Sequence, residues 1–173
     1  MLHIKPGTAW ADFYARARAV APEAFDAQSI RNLIGGEWVA GSTAKPHTVP
    51  VDATQIPGAP AISSDEAKKA MSLAVKQDRE WSLVPLDERM RRVSKAVELL
   101  REHRDTIAGL LMWEIGKPWK IACDDVDRCV DGVAWYLTQI ERQMADRVPL
   151  DGPVSNIASW NYPLSVLVHA ELV

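Results

Sequence analysis

Apolar positions recur with a helical period through most of the middle of this chain. Ser63-Ser64-Asp65-Glu66 has the spacing of a capping box, with Ser63 as the cap and Glu66 three residues on. The helix it opens carries Ala67, Ala70, Met71, Ala74 and Trp81. Pro85 opens a second helix, whose Leu86, Met90, Val93, Val97 and Leu100 repeat at spacings of four and three. Its Arg89, Arg91, Arg92, Lys95 and Arg101 lie mostly off that stripe and read as a solvated face rather than an anion patch. A third helix carries Ile107, Leu110 and Leu111 and stops at Gly116, with Pro118 close behind. A fourth runs from near Pro118 to about Met144, with Trp119, Ala122, Val126, Cys129, Val130, Val133, Tyr136, Leu137 and Ile140 on one face. Asp124, Asp125, Arg128 and Asp131 fall mostly outside that stripe, and the pair Asp124/Asp125 reads as solvated. Four amphipathic helices in succession need a common surface to cover.

The flanks have a different rhythm. Asn32-Leu33-Ile34-Gly35-Gly36-Glu37-Trp38-Val39 reads as a β-hairpin, because Gly-Gly tolerates the positive φ that tight hairpin turns require. Residues 40–64 are rich in Gly, Pro, Ser and Thr and form a connector, with a short strand expected within 48–51. Residues 11–27 are Ala-rich and read as a short surface helix. After the fourth helix, Ala145 to Pro153 is a turn-rich link. It leads into the apolar run Val154–Ala158, the polar turn Ser159-Trp160-Asn161-Tyr162-Pro163 and a second apolar run, Leu164–Val173. Strand, tight turn and helix is the local expectation, with Pro163 suited to a helix's first turn. The strand has the composition of a parallel-sheet strand.

The totals narrow the function classes. The chain has 173 residues, enough for one domain with a real core, and is 47% apolar and 25% charged. Its net charge of −3 argues against a nucleic-acid surface. No window approaches the roughly 20 apolar residues needed to span a bilayer, and residues 1–10 lack a signal-peptide core. Cys123 and Cys129 are six residues apart on one helix, too far for a disulfide. That makes a cytoplasmic location the expectation. Both cysteines read as small buried apolar residues, since the aspartates around them would raise a thiol pKa. His3, His47, His103 and His169 have no metal-site spacing, so no metal is expected.

One candidate for chemistry remains. Asn161 stands where a side-chain amide and free helix N–H groups would sit side by side, an arrangement able to hold a developing oxyanion. An Asn before a helix is most often a plain N-cap, and that is the reading the residues alone favour. Trp160 and Tyr162 read as core or as pocket walls, and the residues alone do not separate these alternatives.

Taken in order, Ile34-Gly35-Gly36-Glu37-Trp38-Val39, Glu114-Ile115-Gly116-Lys117-Pro118, Trp135-Tyr136 and Ser159-Trp160-Asn161-Tyr162-Pro163 form a set. This set resembles the amino-terminal part of the NAD(P)-dependent aldehyde dehydrogenase superfamily, over roughly residues 30–173. The pieces resemble that family's I-x-G-x-W strand pair, its E-T-G-K-P helix end, the aromatic pair of its next long helix and its P-W-N-F/Y-P turn. Ile115 replaces the usual Thr, and Ser159 stands where proline is common.

The resemblance implies an α/β fold: the amino-terminal part of a Rossmann-type domain, mostly helical in the portion present, with an N-terminal β-hairpin. The organisation it implies is an N-terminal extension over 1–29, hairpin and connector over 30–64, and the helical layer of the cofactor-binding domain over 65–144. Link plus first strand-turn-helix of the dinucleotide-binding sheet would occupy 145–173.

By the same resemblance, Asn161 donates its amide to the substrate oxyanion. Ile157, Ala158, Ser159 and Trp160 line the cleft for NAD or NADP, and Tyr162 and Val166 border the tunnel of a small-molecule aldehyde. The implied reaction oxidises that aldehyde to a carboxylic acid through a thiohemiacetal. The family's nucleophilic Cys and general-base Glu are expected beyond this chain, which alone is expected to be inactive. The link at 145–153 is shorter than in typical members, where it helps subunits associate, so a homo-oligomer is left open. Two other readings stand beside this one. The first is a truncated non-catalytic fragment or helical interaction module; the second is a semialdehyde or acyl-phosphate reductase of the same fold.

Overall fold

The computed structural model describes residues 6–25, 29–41, 43–58 and 60–173. Residues 1–5, 26–28, 42 and 59 lie outside the described residues, and so do the parts of the N-terminal extension and connector that fall on them. The element order is α1 (Trp10–Val20), β1 (Asn32–Ile34), β2 (Glu37–Val39), β3 (Thr43–Ala44), β4 (His47–Thr48), β5 (Gln55–Ile56), β6 (Pro60–Ala61), α2 (Ser64–Ser82), α3 (Leu86–Glu102), α4 (Arg104–Ile115) and α5 (Trp119–Met144). A wide π-type helical turn, Pro163–Val168, then runs into the short α6 (His169–Leu172).

The local signals produce the elements they encode. Gly35 and Gly36 adopt φ of +63° and +84°, closing β1 on β2 in antiparallel register with Leu33 opposite Trp38. At the head of α2, the Ser63 N–H donates to Glu66 Oε2 at 2.6 Å, and the Glu66 N–H donates to Ser63 Oγ at 3.2 Å. This reciprocal cap satisfies two amides that a helix start leaves open. Gly116 ends α4 in the left-handed conformation, φ +72°, and Pro118 sets the entry to α5. The connector holds more pairing than the expected strand within 48–51. β4 pairs with β5 and β3 with β6, while Val49 begins the turn between β4 and β5.

The core is built around α5. Ala122, Cys123, Val126, Cys129, Val130 and Val133 of that helix pack with Val97 of α3, Ala108 and Leu111 of α4, and Leu164 of the C-terminal turn. Trp119, expected on the buried stripe, lies at its edge and stacks on Phe13 with ring centroids 6.4 Å apart. A second cluster joins Phe13, Val49, Ile56 and Trp113. The Trp113 Nε1–H donates to the Thr8 carbonyl at 2.8 Å. α1 is therefore more than a surface helix. Phe13 seats directly over Gly109 of α4, where an added Cβ would come within 2.2 Å of the ring. The α4–α5 contact is also clamped by charge, since Arg104 donates through Nε and one Nη to both carboxylate oxygens of Asp127, each at 2.6 Å.

α2 contrasts with these helices, because none of its side chains is fully buried. On α3, Arg91 and Arg92 both donate to Glu88, whose carboxyl is held down at about 2 by those guanidinium hydrogen bonds. Both arginine side chains remain largely exposed, in keeping with a solvated face. No helix among the described residues is long and apolar enough to cross a membrane.

Two expectations for the C-terminal segment are corrected. Residues 153–159 form no strand. A strand is completed by hydrogen bonds to a neighbour, and among the described residues none lies beside 154–158. The helix expected over Leu164–Val173 forms instead as the π-type turn followed by one α-helical turn.

Candidate functional site at the Asn161 turn

Asn161 occupies a turn between an irregular exposed segment and the π-type helical turn. Its side chain is exposed rather than packed inward. Ile157 is 94% exposed and Trp160 74%. Ser159 is also exposed, Ala158 is half-buried, and Val166 faces solvent. Tyr162 is half-buried for a specific reason. Lys117 Nζ sits 4.2 Å from its ring centroid and the Arg128 guanidinium 6.0 Å away, so cations flank the aromatic face.

Beneath the turn lies a charged pair that the sequence pattern did not single out. Asp125, read there as solvated, is fully buried. Its Oδ2 accepts from Lys117 Nζ at 2.8 Å, and its Oδ1 accepts from the Ser165 backbone N–H at 3.0 Å. The Lys117 side chain is only 9% exposed. Burial by itself would push the Asp125 carboxyl up. The Lys117 ammonium and the Ser165 hydrogen bonds outweigh that, and the group is held below the usual carboxylate range. Lys117-Pro118 is thus more than a helix end, because Lys117 links the α4–α5 corner to the C-terminal turn.

The helical period misled here. Asp125 sits at the margin of the apolar stripe, one turn after Ala122 and one turn before Cys129, on the side of α5 against which the C-terminal turn packs. The available signal was Lys117 eight residues before it, but that spacing has meaning only once the corner at Gly116 is known.

The aldehyde dehydrogenase family model matches residues 38–172, with the Asn161 turn inside the match. The chain belongs to the aldehyde dehydrogenase family. Malonate-semialdehyde dehydrogenase 3 of Geobacillus kaustophilus is 33% identical, with 82% of this chain and 32% of that protein covered. Malonate-semialdehyde dehydrogenase 2 of Geobacillus thermodenitrificans is 32% identical over the same shares. Among solved structures, 1-pyrroline-5-carboxylate dehydrogenase from Thermus with bound NAD matches with a TM-score of 0.74 at 22% identity, covering 99% of this chain and 36% of that one. An NADP-dependent glyceraldehyde-3-phosphate dehydrogenase from Bacillus halodurans, complexed with NADP, matches with a TM-score of 0.69 at 23% identity, covering 82% and 34%. These likenesses show the fold: the helical layer of an α/β aldehyde dehydrogenase. The chain spans about a third of the length of the curated relatives it matches.

Two features limit what this family member can do with its described residues. Neither cysteine is set up as a nucleophile. Burial pushes the Cys129 thiol up to about 11, with the Asp125 charge adding to it, and burial likewise raises Cys123 against the opposing pull of Arg104. Residues 157–160 are irregular and, apart from half-buried Ala158, exposed. Among the described residues no strand lies beside 154–158 to enclose them.

Proposed function

We propose that this chain contributes the amino-terminal part of an NAD(P)-dependent aldehyde dehydrogenase. The aldehyde is oxidised to the acid through a thiohemiacetal, with the nucleophilic Cys and general-base Glu supplied by residues outside these 173. In this reading Asn161 donates its side-chain N–H to the oxyanion formed when the thiolate attacks. Such a donor acts only if it is held in place before the charge develops. Ile157, Ala158, Ser159 and Trp160 would form one wall of the NAD or NADP cleft. Tyr162 and Val166 would border the aldehyde's path. The observation that carries the reading is the exposed Asn161 amide at the head of a helical turn, in a chain of this family. The malonate-semialdehyde relatives favour a short semialdehyde as the substrate. A cytoplasmic location and a homo-oligomer belong to the same reading.

The test begins with the reading frame beyond Val173. A continuation encoding a Gly-rich loop and a downstream Cys supports the enzyme, and a stop codon rejects it. In the continued protein, Asn161→Ala should lower kcat for semialdehyde oxidation by about 10²–10³-fold; an unchanged kcat would remove Asn161 from the mechanism. The 173-residue chain alone should bind NAD no tighter than about millimolar by calorimetry, because one wall of a nucleotide site buries too little of the ligand.

A non-catalytic role is the second reading. It is favoured by the burial of both thiols and by the exposed apolar residues of α2. Aldehyde-dependent NAD(P) reduction by the continued protein would exclude it.

A further inference from the structure

We propose that the buried Lys117–Asp125 pair is a positioning device for the Asn161 turn, holding its downstream side at Tyr162 and Ser165. The mechanistic use of this device rests on the reading of Asn161 as oxyanion donor; the device itself stands on geometry alone.

Asp125 has no exposed surface, and each carboxylate oxygen is committed to a different element. Oδ2 holds Lys117, fixed between Gly116 and Pro118 at the α4–α5 corner. Oδ1 holds the Ser165 N–H in the first turn of the C-terminal helical segment. A helix's first amides have no partner within the helix. Here an acceptor on another helix supplies one, so the segment's start is capped by α5 rather than by its own preceding residue. Lys117 then reaches over Tyr162, the residue directly after Asn161. The two contacts hold the chain on one side of the asparagine, one residue and four residues downstream. Leu164, buried between them against the α5 core, adds apolar packing to the same side.

Energetics favour a geometric role. Removing two charges from water costs several kcal/mol per ion, and apolar side chains of similar volume often serve stability as well. What apolar side chains cannot do is accept from a particular N–H. The pair therefore fixes direction, which an oxyanion donor needs and a packed core does not.

The test uses the full 173-residue chain and reads neither aldehyde nor nucleotide. A failed activity assay therefore leaves it standing, and its own failure leaves the reading of Asn161 open. Backbone and side-chain amides are followed by ¹⁵N NMR in Lys117→Met/Asp125→Leu, which removes both charges together, and in Asp125→Asn, which keeps an acceptor for Ser165. In the double variant the Ser165 amide should exchange at least ~10-fold faster, as expected for a locally opened segment. The Asn161 side-chain amide resonances should move, and the Leu33–Trp38 hairpin should stay unchanged. Asp125→Asn should retain part of the Ser165 protection. A folded double variant with unaltered Ser165 exchange and Asn161 resonances overturns the proposal.

Should the double variant not fold, the unaltered chain decides. The groups facing Asp125 are Lys117 from the α4–α5 corner, Cys129 on its own helix and the uncharged Ser165 from the C-terminal turn. Acid titration should shift the Ser165 and Asn161 amides together, with a midpoint below the carboxyl's ordinary value. Absence of that joint shift overturns the proposal.

Discussion

The two flanks of Asn161 are held very differently. Downstream, Tyr162 lies under Lys117, Leu164 is in the α5 core and Ser165 donates to a buried carboxylate. Upstream, residues 153–159 run without a strand partner, and Ile157 and Trp160 face solvent. The Asn161 amide therefore sits at the border between a half that the helical layer holds and a half that it leaves open. An extended segment gains its partner from a neighbouring strand, whereas the start of a helical turn can be fixed from below by a single helix.

The strongest way to break this contrast is Asp125→Leu alone. It leaves the Lys117 charge buried without a counter-ion and should cost about 3–5 kcal/mol in urea denaturation. The double variant Lys117→Met/Asp125→Leu should recover most of that loss. Next is Leu164→Ala, expected to cost about 2–4 kcal/mol by the same measurement, from lost burial and the cavity it leaves. Gly132→Ala should follow at about 1–3 kcal/mol. An added Cβ on α5 would meet His169 Nε2 at 3.0 Å and displace that ring, which the Tyr136–His169 ring contact would report in NMR.

A smaller, graded effect comes from pH. The folded Asp125 carboxyl is depressed below its ordinary value near 3.8. Its contribution is complete above that value and is lost as pH falls through the lower folded one. The urea midpoint of the unaltered chain should therefore fall more steeply across this acid window than that of Asp125→Asn. Least of all, Ile157→Ser on the open flank should change stability by under about 0.5 kcal/mol. A larger loss there would mean that the upstream flank is anchored after all.

Legibility from sequence followed the range of the interactions. The Gly35-Gly36 hairpin, the Ser63/Glu66 cap and the Gly116-Pro118 corner formed where they were read, because each is closed by atoms within a few residues. The α5 stripe from Ala122 to Val133 was equally readable, because burial follows the helical period. Asp125 was misread because that period says which face is apolar, and says nothing of a carboxylate answered by a distant lysine and a distant backbone amide. The seat of Phe13 on Gly109 was invisible for a similar reason, since each residue is unremarkable until α1 lies on α4.

The order of helices and their caps and corners were already fixed by the residues in line, since local backbone preference and periodicity act over one or two turns; the family was legible only through the resemblance of four ordered motifs. Whether Val154–Ala158 becomes a strand, whether Asp125 is solvent-facing or buried, and how Tyr162 is held were settled only by tertiary packing. Hydrogen bonds across a sheet and charges buried in pairs both need a second partner, and position along the chain does not specify where that partner will lie.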